Sequence, residues 1–244
     1  MNKQIIILII AVVVISSAGS TFLIINLDSK DDDGSGQDIP AGSWSSFPSK
    51  DGQYLNYKLS SDTDRMFKVV EKTSVENVGV FKVEFGTKDI NEETLSYPQY
   101  LYVDIEGKVW KVESENGYSL FNYETNVFYN SYTDETGELP QGFVYTYQLM
   151  MGSWWKNQYL SIGKEFSYKL GENPEYLYDI TFKVLKTEEI QVPAGVFNTY
   201  KVEVIWIDEG ESTTADYYVD TENYILVKWM TSPSNGDDLK EYNI

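Results

Sequence analysis

Two carboxylate pairs in matching surroundings are the first residues to consider for chemistry. Asp104 and Glu106 stand in Tyr102-Val103-Asp104-Ile105-Glu106, and Asp220 and Glu222 stand in Tyr218-Val219-Asp220-Thr221-Glu222. Facing carboxylates can perform glycosidase-type acid–base work, and four of them meeting in space can hold calcium. Both pairs fall at predicted hairpin turns, where solvated surface carboxylates are the ordinary outcome. The chain has no His and no Cys. That excludes Ser-His-Asp and Cys-His triads, His-ligated zinc or iron, and thiol redox chemistry. No cofactor is expected and no metal site. Asp31, Asp33 and Gly34 faintly resemble a calcium loop, but its twelfth position is Pro40 rather than Glu, so a solvated spacer is expected there.

The other chemically suggestive group is apolar: Tyr145, Tyr147, Met150, Met151, Trp154 and Trp155. Adaptable Met and broad Trp faces suit a lipid-like or aromatic ligand at the mouth of a pocket. The same composition also suits a plug across a barrel end or sheet edge. A non-enzymatic binder of an apolar or amphipathic small molecule is the leading expectation. A structural or protein-interaction module of the cell surface is the alternative, and a carboxylate-based carbohydrate-active enzyme the third. The formal net charge of −19 repels nucleic acid and anionic headgroups, so neither is an expected partner.

These residues need elements to position them, and after Pro40 nearly every segment reads as strand. Short runs rich in Tyr, Val, Phe, Ile and Thr alternate with polar residues. Glu106-Gly107, Glu222-Asn223 and above all Asn116-Gly117 mark hairpins. The exception is Phe143–Trp155, which can hold a short helix. With no Cys there are no disulfides, and burial must come from 20 Tyr, 11 Phe and 6 Trp.

The strand pattern occurs twice. Gly52-Gln53-Tyr54-Leu55-Asn56-Tyr57-Lys58-Leu59 returns as Gly163-Lys164-Glu165-Phe166-Ser167-Tyr168-Lys169-Leu170. Gly42-Ser43-Trp44 matches Gly152-Ser153-Trp154, and Phe67-Lys68-Val69 matches Phe182-Lys183-Val184. Gly79-Val80-Phe81 and Lys82-Val83-Glu84 match Gly195-Val196-Phe197 and Lys201-Val202-Glu203, with a three-residue shift between them. Collinear matches with small shifts are what duplication followed by loop drift leaves. The expected fold is all-β: an antiparallel, strongly curved sheet or partial barrel built from two related halves. The first β repeat spans 42–122, a connector 123–151 and the second repeat 152–244, with 42–244 forming one domain.

The N-terminus carries an apolar run, Ile5–Ile25, preceded by Lys3 and followed by Asp28, Lys30, Asp31, Asp32 and Asp33. As a helix it reaches about 30 Å, the thickness of a bilayer core. Residues 1–27 therefore read as a single-pass anchor or uncleaved signal, and 28–41 as a flexible acidic linker. The positive-inside bias places the N-terminus in the cytoplasm and the β domain outside the cell membrane. The competing reading is a signal peptide cleaved after Ala18, which leaves Thr21–Ile25 as an apolar stub.

One stretch resembles a known family. Ile190-Gln191-Val192-Pro193-Ala194-Gly195-Val196-Phe197-Asn198-Thr199-Tyr200-Lys201-Val202 resembles the Val-Pro-Ala-Gly-x-Phe-x-x-x-Lys-Val signature of secreted β-barrel domains of unknown function from bacterial and archaeal envelopes. Leu160–Phe166 resembles the segment that opens those domains. The resemblance covers about 153–231, and the first copy has Glu76-Asn77-Val78-Gly79 at the corner instead. In architecture alone, the chain is similar to half-barrel lipoprotein carriers. Both resemblances imply an envelope location, and the second implies an apolar ligand or an envelope protein as partner.

Overall fold

A computed structural model describes residues 47–59, 63–89, 95–139, 144–152, 154–155, 160–173, 176–208, 211–232 and 235–244. The Ile5–Ile25 run, the acidic linker and Gly42-Ser43-Trp44 lie outside them. Among the described residues, no helix is long and apolar enough to cross a membrane.

The first half of the chain forms β1 (Tyr54–Lys58), β2 (Thr63–Val75), β3 (Val78–Asp89), β4 (Ser96–Asp104), β5 (Val109–Ser114), β6 (Gly117–Asn122), β7 (Val127–Asn130) and β8 (Glu135–Glu138). β9 (Val144–Tyr145) and the short helix α1 (Thr146–Met151) follow. The second half forms β10 (Glu165–Asn173), β11 (Tyr176–Val192), β12 (Gly195–Asp208), β13 (Glu211–Asp220), β14 (Leu226–Ser232) and β15 (Asn235–Asn243). All these strands join one sheet in the order β8-β7-β6-β5-β4-β3-β2-β1-β15-β14-β13-β12-β11-β10-β9. Every pairing is antiparallel except β9 with β10. The sheet does not close: its edges, β8 and β9, are neighbours in sequence but not in the ladder. The two halves meet at a seam where β1 pairs with β15.

Alternation gives the sheet one apolar face, because side chains along a strand point to opposite faces. Leu55, Tyr57, Phe67, Val69, Val83, Phe85 and Leu101 are buried on the concave face, whereas Lys68 between two of them is exposed. Each such apolar side chain contributes roughly 1.5–3 kcal/mol when removed from water.

The two halves repeat each other in register. Leu55 pairs with Phe67 as Phe166 pairs with Phe182. Gly52 donates to the Val69 carbonyl as Gly163 donates to that of Val184, at φ near +81° and +85°. The same bulge interrupts β2–β3 after Val69 and β11–β12 after Val184. A second shared bulge follows Tyr102 in β4–β5 and Tyr218 in β13–β14. The Gly79-Val80-Phe81 match, in contrast, falls out of register. Val75 pairs with Val78 where Ile190 pairs with Phe197, so Gly79 corresponds to Asn198, and the Pro-Ala-Gly corner sits in an extension of the β11–β12 hairpin. That extension reaches the seam. The Ala194 N–H donates to the Leu239 carbonyl on β15 at 3.1 Å, and Phe197 packs on Tyr242.

Candidate ligand-binding site

The apolar residues singled out at the connector and the start of the second repeat come together, as part of the core. Tyr145, Met150, Met151, Trp154 and Trp155 are buried, and Tyr147 is half-buried. Tyr145 and Tyr147 reach the first half: Tyr147 touches Phe67 and Phe85, and Tyr145 touches Phe121. Trp154 and Trp155 reach the second, packing on Phe166, Tyr168, Phe182 and Tyr217. The segment is pinned at both ends. Gln148 accepts from the Tyr145 N–H and donates to the Gly107 carbonyl in the β4–β5 turn. Gly152 ends α1 at φ +79°, close against Tyr224 and Ile225 of the β13–β14 turn. The connector thus spans the concave side at the end of the sheet where these two turns lie.

The turn carboxylates serve their own turns. Asp104 accepts from the Lys108 N–H and from Trp110 Nε1 at 2.7 Å. Asp220 accepts from the Glu222 and Asn223 N–H groups and the Asn223 amide. Glu106 is exposed and pairs with Lys108. Both aspartates therefore cap hairpins, the common use of Asp at such positions. Among the described residues no group of three or more Asp and Glu side chains is arranged to hold a metal ion.

A different cluster, 172 residues apart in sequence, forms at the seam. Arg65 on β2 donates through Nη1 to Asp237 on β15 at 2.5 Å and contacts the Met150 sulfur at 3.4 Å. It is the only arginine in the chain. The pair straddles β1, where the Tyr57 hydroxyl reaches the Met150 and Leu226 carbonyls. On the opposite face, Asp64 and Lys240 span the same three strands at 2.6 Å, so ion pairs bracket β1 on both sides. Asp237 is flanked by Trp229 on β14, which continues into Tyr217 on β13 and Trp206 on β12. Trp206 and Trp229 are half-buried, and the Arg65 side chain keeps 19% of its surface open. The Trp229 indole N–H approaches the Asp237 carboxylate and helps keep it ionised, though outside good hydrogen-bond geometry. Nothing in the local sequence announces this cluster. Its members become neighbours only through the β1–β15 pairing.

These positions are where the two halves differ. By register, Arg65 corresponds to Ile180, Trp206 to Thr87, Tyr217 to Leu101, Trp229 to Val112 and Asp237 to Ser119. Tyr57 and Tyr168 are identical equivalents. The framework is repeated, but the polar and aromatic cluster occurs once.

Burial raises the Asp237 and Asp104 carboxyls above the ordinary range, outweighing Arg65 at one and the N–H donors at the other. The folded state therefore binds these protons more tightly than the unfolded chain, and both groups stabilise the fold more as pH falls from 7 toward the unfolded aspartate value of about 3.9. Glu113, held low chiefly by Lys111, works the opposite way, losing its stabilisation as pH falls through its folded value. Thermal unfolding should accordingly occur at higher temperature at pH 5 than at pH 7. Asp104→Asn should flatten that slope, and an unchanged slope would contradict the assignment.

No protein-family model matches the chain, the Val192-Pro193-Ala194-Gly195 corner included, and no curated protein matches it. Solved structures are similar to it, three of them as follows. A β-barrel-like protein of a domain of unknown function from Brucella abortus has 11% identity and a TM-score of 0.44, over 80% of this chain and 99% of that one. A candidate lipoprotein from Parabacteroides distasonis has 19% identity and a TM-score of 0.33, over 81% and 97%. A candidate exported protein with a YmcC-like fold from Bacteroides fragilis has 13% identity and a TM-score of 0.32, over 81% and 98%. Likenesses of this strength carry no argument about what the chain does.

Proposed function

We propose that this chain is a non-enzymatic binding protein of the cell envelope, tethered by its N-terminal apolar segment with the β domain outside the membrane. Its two halves descend from one duplicated unit. The ligand is apolar or amphipathic and lies on the concave face beside the connector. The observation that carries this reading is the half-buried row of Trp206 and Trp229, joined through Tyr217 and ending at a partly open arginine. Half-buried Trp faces beside a few placed polar groups are the usual composition of a small-molecule site. The connector patch is too tightly packed into both halves to be the leading location. Of Tyr145, Tyr147, Met150, Met151, Trp154 and Trp155, Met150 and Trp155 border the proposed site, Met150 at Arg65 and Trp155 at Tyr217.

The test is extraction and native mass spectrometry of the chain purified from membranes, followed by titration with a fluorescent fatty acid. A co-purifying amphiphile and saturable uptake that quenches tryptophan emission are expected. A chain that carries no amphiphile and takes up none would remove the proposal.

A further inference from the structure

The seam cluster points to the chemistry of the ligand's polar end. We infer that Arg65 is a headgroup site: its guanidinium takes the single carboxylate of an amphiphile whose apolar body lies along Trp229, Tyr217 and Trp206. This rests on the reading above that the concave face binds an amphiphile.

Several features carry it. A guanidinium presents five N–H donors in a planar fork that matches a carboxylate. Asp237 and the Met150 sulfur both engage Nη1, which sets the fork's orientation while part of the side chain stays open. Asp237 is itself almost wholly buried and faces Trp229 across the β14–β15 ladder, so the apolar row begins where the charged pair ends. The lysines on these strands serve elsewhere. Lys201 pairs with Asp216, Lys228 with Asp238, and Lys240 with Asp64 on the opposite face. One inward cation, half committed to Asp237, suits a monoanion better than a phosphate dianion. It also offers a local exception to the overall charge of −19, which would otherwise repel any acid. Finally, the cluster sits at positions where the halves diverge. Ile180 holds the place equivalent to Arg65, and Ser119 the place equivalent to Asp237. The pair itself follows from the β1–β15 seam, which occurs once, whereas the row Trp229, Tyr217 and Trp206 lies within one half and is replaced by Val112, Leu101 and Thr87 in the other.

The experiment is titration of the full chain, held in amphipol, with decanoate, decyl phosphate and decanol, read by tryptophan fluorescence. Decanoate should bind at least tenfold more tightly than decanol, and added salt should narrow that gap. Asp237→Asn removes the competing carboxylate and keeps the shape. It should tighten decanoate severalfold and leave decanol unchanged. Arg65→Gln should bring decanoate down to decanol's affinity, with Arg65→Lys intermediate because it keeps the charge and loses the fork. Thermal unfolding of each variant identifies any that fail to fold, and the wild-type comparison stands without them. Equal binding of decanoate and decanol to the wild type would overturn the headgroup site while leaving amphiphile binding intact. Decyl phosphate binding more tightly than decanoate would overturn the choice of carboxylate. Binding of none of the three would overturn the underlying reading instead.

Discussion

Replacing Trp155 by alanine should cost about 3–5 kcal/mol, the usual range for removing a fully buried Trp. Typical domains are stable by only about 5–15 kcal/mol, so little would remain. The side chain is completely buried and meets Trp154, Phe182 and Tyr217 at centroid distances of 4.8, 5.5 and 6.1 Å. Its indole N–H also donates to the Leu149 carbonyl at 2.8 Å, satisfying an acceptor near the end of α1. Alanine would leave a cavity bounded by rings from β11 and β13, and would remove the shorter of two hydrogen bonds to that carbonyl, which keeps the Gly152 N–H as donor at 3.3 Å. Trp155→Phe keeps most of the volume but not the donor, so it should cost clearly less. Urea unfolding followed by far-ultraviolet circular dichroism measures both. A loss below about 1 kcal/mol for alanine would show that the connector is a detachable insert, and would return Trp155 to the list of ligand contacts.

That contrast bears on how far the sequence could be read. Strand positions were legible because period-two alternation is enforced by burial on one face, as in Leu55-Asn56-Tyr57. The turns were less legible. The hairpin marked by Asn116-Gly117 forms one residue earlier than expected: Ser114 pairs with Gly117, so Glu115 and Asn116 make the β5–β6 turn, and neither has a positive φ. Glu76-Asn77, read only as a weak counterpart of the Pro-Ala-Gly corner, is the two-residue turn in which both φ values are positive, at 50° and 67°. That geometry matches the right-handed twist of the flanking strands. The short helix expected within Phe143–Trp155 is α1, which lies inside those bounds.

The site was much less legible. A run such as Met150-Met151 followed by Trp154-Trp155 has the same composition whether it fills a core or lines a pocket. Only the neighbours decide, and they come from strands of both halves. Arg65 and Asp237 gave no local signal at all, because each lies among ordinary surface-type residues and faces inward only by register. The β1–β15 pairing that unites them is the longest-range contact in the sheet, and no local pattern encodes it. The repeat held the most useful clue. Its residue matches are strongest in the framework, so the positions where the copies disagree deserved as much weight as those where they agree.

Gly152 is the position of the second large effect. Substitution by alanine should destabilise the protein by about 2–5 kcal/mol. Roughly 1–2 of that comes from holding an L-residue at φ +79°. The rest, about 1–3, comes from overpacking. A Cβ built there would lie 2.7 Å from both the Tyr224 carbonyl oxygen and the Ile225 Cα, and neither can move without disturbing the turn capped by Asp220. Gly163 provides the control, since it too has positive φ, at 85°, but nothing lies within 4 Å of its added Cβ. Gly163→Ala should therefore show the conformational cost alone. The difference between the two variants, measured by urea unfolding, isolates the contact between the connector and the second half. If the two costs are equal, α1 does not press on the β13–β14 turn. If Gly152→Ala costs more, as expected, the connector is a strut wedged between the paired turns of the two copies, with Gln148 on Gly107 at one end and Gly152 on Tyr224 at the other. A strut so placed fills one end of the concave face up to Arg65, which the Met150 sulfur touches.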